Sequence, residues 1–145
     1  MGTIALFSWM ATVLVGLVLF VIWAMEYDQE FHSSAATRLP VPVISAHAAL
    51  GLGGLVAWGL YLAADDDRLA WATVADLGVV ATLGVVMAVR WVGVYRAYAA
   101  PGSSPLTMVT VPPERHFPRP VIVIHGLLAV ATLALVVAAV FFDGS

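Results

Sequence analysis

The sequence contains no cysteine and no lysine among its 145 residues, and only 10% of its residues are charged. Without cysteine the chain has no disulfides, no thiolate metal ligands and no cysteine-bound iron–sulfur cluster. The formal net charge of −3 gives no indication of a nucleic-acid partner. Absence of lysine together with abundant alanine, valine and glycine is typical of a bacterial protein from a GC-rich genome.

Apolar sequence is what the chain has in excess, at 62% hydrophobic residues. Four apolar runs are each near or above the roughly 20 residues that cross a bilayer: Ile4–Met25, Val41–Ala63, Trp71–Tyr98 and Val121–Phe142. These runs are too long for barrel strands, so the sequence predicts an all-α integral membrane protein with four transmembrane helices in a bundle. The first run lacks a basic segment and a cleavage site, so we expect it to be retained, and residues 1–145 form one membrane domain.

The arginines are concentrated at one end of the predicted bundle. The two longer loops and the helix ends beside them carry Arg38, Arg96, Arg115 and Arg119, whereas the opposite end has only Arg68. The positive-inside rule therefore predicts a multi-pass protein of the bacterial cytoplasmic membrane, with both longer loops cytoplasmic and both termini outside.

A histidine motif occurs twice. Pro-Val-Ile-x-x-His-x-x-Leu begins at Pro42 and again at Pro120, and another proline stands two residues before each copy. A Gly-x6-Trp-x3-Tyr pattern also occurs twice, beginning at Gly16 and at Gly84. The sequence therefore predicts two copies of a two-helix hairpin.

The predicted hairpins comprise residues 4–63 and 71–142. The repeated tryptophan precedes the repeated histidine by 24 residues in the first copy and by 34 in the second, which implies a ten-residue insertion in the 99–118 loop. A two-helix unit returns the chain to its starting side, so we expect parallel copies related by an axis along the membrane normal.

The histidines of the motif are His47 and His125. Each lies five residues after its proline, which is about 7–8 Å from the helix start, so parallel copies place both at one depth. Ionisable residues inside a membrane are functional by default. Two inward-facing histidines on symmetry-related helices predict the axial metal ligands of one haem b. The alternative is that each histidine is repeated only because the two copies share ancestry, and that it simply packs against its neighbours.

Further residues are predicted to surround the haem. Gly51 and Ala129 lie one turn beyond the histidines and leave space for the ring, although close helix packing explains them equally well. Arg90, with Arg96 as a second candidate, is predicted to meet a haem propionate. The alternatives for Arg90 are a pair with Glu26 or Asp28, or contact with lipid headgroups.

Four smaller expectations concern polar and aromatic residues. Each motif histidine is expected to donate its second ring N–H to a backbone carbonyl about one turn back, near Val43 or Val121, or to Ser45 in the first copy. The repeated tryptophans and tyrosines are expected in an aromatic belt, and the carboxylates at the membrane edges. His32 and His116 are expected in loops, where a solvated helix end is favoured over a metal site with Glu114.

A haem held by two histidines has no open coordination position, so its predicted role is electron transfer with quinone or a partner redox subunit. This plan resembles the small four-helix cytochrome b subunits that anchor respiratory dehydrogenases, in architecture only. The resemblance implies an electron-transfer subunit of an oxidoreductase in the respiratory chain, working with other membrane subunits or as a homo-oligomer. The alternatives are a haem-free quinone- or proton-handling subunit, a non-redox accessory subunit and a pigment-binding protein. A transporter and a hydrolytic enzyme are disfavoured.

Overall fold

The computed structural model describes residues 1–27, 37–99 and 112–143 of the chain. These residues form α1 (Gly2–Glu26), α2 (Val41–Ala64), α3 (Asp67–Ala99), a 3-10 turn (Pro113–His116) and α4 (Arg119–Ala138), which continues into a π-helical turn (Ala139–Asp143). No strand occurs within those three ranges. The predicted all-helical fold of four helices is confirmed, and each helix is long and apolar enough to cross a membrane.

The doubled prolines mark the starts of α2 and α4. Pro40 (φ −61°, ψ 125°) and Pro118 (φ −66°, ψ 121°) stand in extended conformation immediately before their helices. Pro42 and Pro120 follow in the first turn, where a missing N–H removes no helical hydrogen bond. The repeated motif therefore begins both helices in the same way and sets both histidines at the same distance from a helix start.

Helix α3 begins four residues earlier than the sequence predicts, at Asp67 rather than at Trp71. The α2–α3 turn explains the difference, because Asp65 ends α2 in the left-handed conformation at φ 54°. The Asp66 carboxylate then accepts a hydrogen bond of 2.9 Å from the backbone N–H of Arg68, as an N-terminal capping side chain does. A charged first turn therefore belongs to the helix although it lies outside the apolar run.

The helices surround a common axis in chain order. Helix α2 packs most closely on α3 and α1 on α4, while fewer contacts join α1 to α2 and α3 to α4. Helices α2 and α4 consequently occupy opposite corners of the bundle. Towards the end at which α1 begins, the core contains Ala5, Trp9, Trp58, Leu77, Val136 and Ala139.

The two core tryptophans hold α1 against α2. The Nε1 of Trp9 donates to the carbonyl of Gly51 at 3.1 Å, and the Nε1 of Trp58 donates to the carbonyl of Gly2 at 3.1 Å. Both rings are almost fully buried. Their indole N–H groups are thus paired with backbone carbonyls, which removes the cost of burying an unmatched donor.

The opposite end of the bundle is closed by the chain segments that flank the two longer loops. Trp23, Leu39 and Ile44 form a second buried cluster there. Glu114 is completely buried and accepts hydrogen bonds from the Thr37 hydroxyl and, at 2.7 Å, from the Leu39 backbone N–H. The Glu114 carboxylate therefore fastens the segment before α4 to the segment before α2.

The prediction that the repeated tryptophans form an aromatic belt is wrong for Trp23. Its side chain is only 5% exposed, stacks on Tyr27 with ring centroids 4.7 Å apart, and directs its Nε1 towards the Thr37 hydroxyl at 3.4 Å. The segment before α2 covers the ring, and the sequence pattern gave no indication of that cover.

Removing the Glu114 carboxylate should loosen this end of the bundle. Glu114→Ala removes the 2.7 Å acceptor of the Leu39 N–H, which then keeps only its 3.1 Å bond to the Thr37 hydroxyl oxygen, and this loss should lower the free energy of unfolding by about 1–3 kcal/mol. Glu26→Ala is the matched control, because Glu26 is half-exposed and pairs with His116 at 3.6 Å; an exposed pair contributes about 0–1 kcal/mol. Denaturant unfolding of the purified protein measures both, and equal losses would contradict the role given to Glu114.

Candidate functional site

The two motif histidines meet at the centre of the bundle. The ring centroids of His47 and His125 are 6.2 Å apart, with their planes inclined at 70°. Both side chains are half-buried. The expectation that helices α2 and α4 direct these two rings towards each other is confirmed.

Each imidazole is held by a backbone carbonyl of a neighbouring helix. The Nδ1 of His47 donates to the carbonyl of Val80 on α3 at 3.0 Å, and the Nδ1 of His125 donates to the carbonyl of Thr12 on α1 at 3.1 Å. A carbonyl only accepts, so Nδ1 carries the proton in both rings. In a neutral ring the Nε2 lone pair then remains to bind a metal or a proton.

The prediction that each histidine would bond within its own helix, to a carbonyl near Val43 or Val121 or, in the first copy, to Ser45, is wrong. The rings extend across the helix interface to α3 and α1, whose carbonyls lie within reach. Each ring is therefore fixed by a helix other than the one that carries it. The orientation of each ring therefore depends on how closely the helix that carries the histidine approaches the helix that supplies the carbonyl, α2 to α3 for His47 and α4 to α1 for His125.

Glycines at matching positions allow these close approaches. Gly16 lies four residues after Thr12, and Gly84 lies four residues after Val80. A Cβ atom on Gly16 would stand 2.8 Å from Cε1 of His125, and one on Gly84 would stand 3.2 Å from Cε1 of His47. The glycine of the Gly-Trp-Tyr pattern therefore makes room for the opposite copy's imidazole, a role that the sequence analysis did not assign to it.

A layer of hydroxyl groups lies next to His125, towards the start of α1. The hydroxyl of Thr132 on α4 is 2.8 Å from that of Ser8 and 3.0 Å from that of Thr12, both on α1. Thr132 is 1% exposed. These hydrogen bonds satisfy the buried hydroxyls and join α1 to α4 at the position where Thr12 also accepts from His125.

The corresponding place beside His47 holds a carboxylate. Asp76 lies eight residues before Gly84, just as Ser8 lies eight residues before Gly16. Oδ2 of Asp76 contacts Gly54, which occupies in α2 the position that Thr132 occupies in α4. Gly54 has no hydroxyl, and Oδ2 of Asp76 is buried without a hydrogen-bond partner. The prediction that the carboxylates lie only at the membrane edges is therefore wrong. A single acidic residue inside the third apolar run was the signal that could have identified it.

The structure places the predicted arginines apart from the histidine pair. Arg90 is exposed, and its Nη1 donates to the carbonyl of Arg38 at 3.2 Å. Arg96 is exposed near the end of α3. Their roles towards a propionate remain predictions. Asp28, one alternative partner of Arg90, and His32 lie outside the described residues.

The remaining candidates are the small residues Gly51 and Ala129 and the loop histidine His116. Gly51 gives its carbonyl to Trp9, and a Cβ atom on it would meet nothing within 4 Å, while Ala129 is half-buried on α4. The role given to both positions, leaving space for a haem ring, stays a prediction. Within the described ranges no group of three or more His, Cys, Asp or Glu residues stands close enough to hold a metal. His116 pairs instead with Glu26.

Comparison of the chain with family models, with curated proteins and with solved structures finds no match. The functional argument therefore depends on the geometry of His47 and His125 and on the residues that support them.

Alanine at the matching glycines should disturb the imidazoles unequally. Gly16→Ala forces the His125 ring to move and should lower the free energy of unfolding by about 1–3 kcal/mol, with a smaller loss for Gly84→Ala. Gly78→Ala on α3 is the control, since its Cβ atom meets nothing within 4 Å. Denaturant unfolding together with the side-chain nitrogen resonances of labelled histidine measures the effect. Identical stability and spectra for Gly16→Ala and Gly78→Ala would show that the ring does not depend on Gly16.

Proposed function

We propose that this protein is a small membrane cytochrome of the b type, in which His47 and His125 bind one haem from opposite faces and the haem transfers electrons. The observation that carries the proposal is the pair of imidazoles, 6.2 Å apart between centroids, each held through Nδ1 by a backbone carbonyl. A metal bonded to two imidazole nitrogens at about 2 Å each requires ring centroids on the order of 6 Å apart.

The donor set fits an iron porphyrin. Two neutral imidazoles with the proton on Nδ1 present Nε2 as ligands, and the carbonyl acceptors fix the tautomer as outer partners of metal-bound histidines commonly do. Within the described residues neither histidine belongs to a cluster of three or more possible metal ligands, as a structural zinc site would require. Two protein ligands suit a metal whose other coordination positions are filled by a macrocycle.

The two glycines supply a second argument for fit. A flat ring held between His47 and His125 extends towards the other two corners of the bundle, which α1 and α3 occupy. At the level of the imidazoles these helices carry Gly16 and Gly84. Both helices therefore lack a side chain where the edge of a macrocycle would approach them, and α1 and α3 can flank the ring closely.

A membrane location is supported by the outer surface of the bundle. Large apolar side chains face outward on all four helices, among them Phe7, Leu14, Val56, Val89 and Leu127. Together with four helices of spanning length, this surface suits a lipid environment. The arginine distribution supports cytoplasmic loops and external termini.

An internal duplication is supported by matched contacts. The alignment of the two hairpins pairs Thr12 with Val80 and Gly16 with Gly84, and each member makes the same contact to the opposite hairpin's histidine. We infer that the hairpins descend from one unit and are arranged as parallel copies.

Electron transfer follows from the ligand number. With His47 and His125 as its two protein ligands, a haem would supply one-electron chemistry here and would leave no open position for oxygen. The histidines hold the haem in the half of the bundle nearer the loops, and Arg90 and Arg96 provide positive charge at that end for the propionates. The electron partner we propose is a quinone or another redox subunit.

A haem-free quinone- or proton-handling subunit is the second candidate, and Asp76 is the observation that favours it. A buried carboxylate oxygen without a partner inside an apolar helix is expensive. Such a group is typical of proton-transfer sites in membranes. An optical spectrum separates the two candidates.

The haem proposal predicts a b-type spectrum. Detergent-purified protein expressed with haem supplied should show a Soret band, reduced-minus-oxidised α and β bands, and a pyridine haemochrome close to one haem per chain. His47→Ala and His125→Ala should each abolish low-spin haem binding, because one axial ligand is lost. His116→Ala is the control, since His116 is half-exposed and pairs with Glu26; its haem content should equal that of the unaltered protein.

Two outcomes would refute this assignment. One is the absence of any pigment after haem-supplemented expression of a folded protein. The other is an unchanged low-spin spectrum in the His47→Ala and His125→Ala variants, which would place the ligands elsewhere.

The orientation can be measured with single cysteines, because the chain contains none. Asp66→Cys in the α2–α3 turn should react with a membrane-impermeant maleimide on intact cells, and His116→Cys should react only after the membrane is opened. Both positions are exposed. The reverse labelling pattern would place the termini in the cytoplasm.

A further inference from the structure

We propose that Asp76 is the proton acceptor coupled to the haem, so that reduction of the iron is accompanied by protonation of this carboxylate. The inference rests on the proposed haem binding by His47 and His125. It adds a residue and a proton to the electron transfer described above.

The surroundings of Asp76 leave one oxygen of its carboxyl group without a hydrogen-bond donor. Its Oδ2 contacts Gly54, is buried and has no hydrogen-bond partner. The matching pair on the other side, Ser8 and Thr132, is closed by a hydroxyl–hydroxyl bond of 2.8 Å. Where one half of the bundle has a satisfied hydrogen bond, the other has an acid facing a glycine that offers no donor.

Asp76 is close to the ligand His47 through the backbone of α3. It precedes Val80 by one helical turn, which is about 6 Å along the axis. The Val80 carbonyl accepts the Nδ1 proton of His47 at 3.0 Å. In a low-dielectric interior an added electron on the metal therefore favours the protonated carboxyl, because charges interact strongly there.

Among the described residues, those at the level of Asp76 on the neighbouring helices are not titratable. Oδ2 of Asp76 lies against Gly54 on α2, which the Trp9 ring of α1 also contacts, and Ser8 is the residue of α1 that corresponds to Asp76. On α4 the residue at this level is Thr132. The titratable or charged residues of these helices lie at other levels: His47 and Tyr61 on α2, His125 and Arg119 on α4, Glu26 and Tyr27 on α1, and Asp67, Arg68, Arg90, Tyr95 and Arg96 on α3.

The proton comes from the aqueous side at the α2–α3 turn. Thr73 lies on α3 between Asp76 and that turn, and its buried hydroxyl donates to the Leu69 carbonyl at 2.7 Å. Asp65, Asp66 and Asp67 are exposed at the turn itself. Thr73 and the aspartates of the turn thus place polar groups between the surface and Asp76.

The step is balanced as one electron and one proton. A one-electron redox protein would give one electron to ferric haem, and the Asp76 carboxylate would bind one proton from the water at the α2–α3 turn. On oxidation the electron leaves to the acceptor and the proton returns to that water. The net charge of the buried site is unchanged in either direction.

Redox titration at several pH values tests this coupling. Holo-protein in lipid nanodiscs is titrated spectroelectrochemically between acidic and alkaline pH. We expect the midpoint potential to fall as pH rises through the range in which Asp76 titrates. Asp76→Asn should give a higher midpoint potential at alkaline pH and a flat dependence across that range, because no carboxylate is left. Asp76→Ser, which copies Ser8, should give the same flat profile if the asparagine variant does not fold.

Glu26→Gln is the control, since it removes a half-exposed carboxylate at the opposite end of the bundle, away from Asp76 and the α2–α3 turn, and should leave the pH dependence intact. A haem-loaded protein whose midpoint potential is independent of pH, or an Asp76→Asn variant that keeps the original slope, would overturn this proposal alone. A folded protein without a Soret band would overturn the haem assignment instead, so the two failures are distinguishable.

Discussion

The hydrogen bond from an imidazole N–H to a carbonyl of the adjacent helix is the interaction on which the rest of the structure depends. A polar ring in an apolar bundle has to be satisfied there, and His47 and His125 achieve this with Val80 and Thr12. The bond fixes the tautomer, directs the ring and requires the two helices to approach closely. The glycine one turn further along each acceptor helix follows from that requirement.

Much of the architecture was predictable because it depends on properties of single segments. Run length predicted four helices, and the doubled proline motif predicted two histidines at one depth, which the structure brings face to face. The acceptors of the imidazoles were not predictable, since every residue has a carbonyl and none is marked by its side chain. Burial of Trp23 was missed for a related reason, because the covering segment carries no apolar periodicity.

The two hairpins differ most informatively one layer away from the histidines. Ser8 and Thr132 form a closed hydrogen bond on one side, whereas Asp76 faces Gly54 on the other. Asp76 stands where the other side has Ser8, and Gly54 stands where it has Thr132. These two differences replace a hydroxyl–hydroxyl hydrogen bond with a carboxyl group, which can change its charge. The backbones of the two hairpins are arranged in nearly the same way, but an acid occupies this level on only one side. The two sides of the bundle therefore differ in chemistry more than in backbone arrangement.

The imidazole, Thr132 and Glu114 contacts of the interior join the two hairpins to each other, whereas the Trp9 and Trp58 N–H bonds join α1 to α2 within the first hairpin. His47 bonds to α3, His125 and Thr132 bond to α1, and Glu114 fastens the segments that precede α2 and α4. During synthesis the first hairpin therefore leaves the ribosome with the His47 ring donor unmatched, because its acceptor lies on α3. His125 and its acceptor also come from different hairpins, so neither imidazole is held in its observed position until both hairpins have formed.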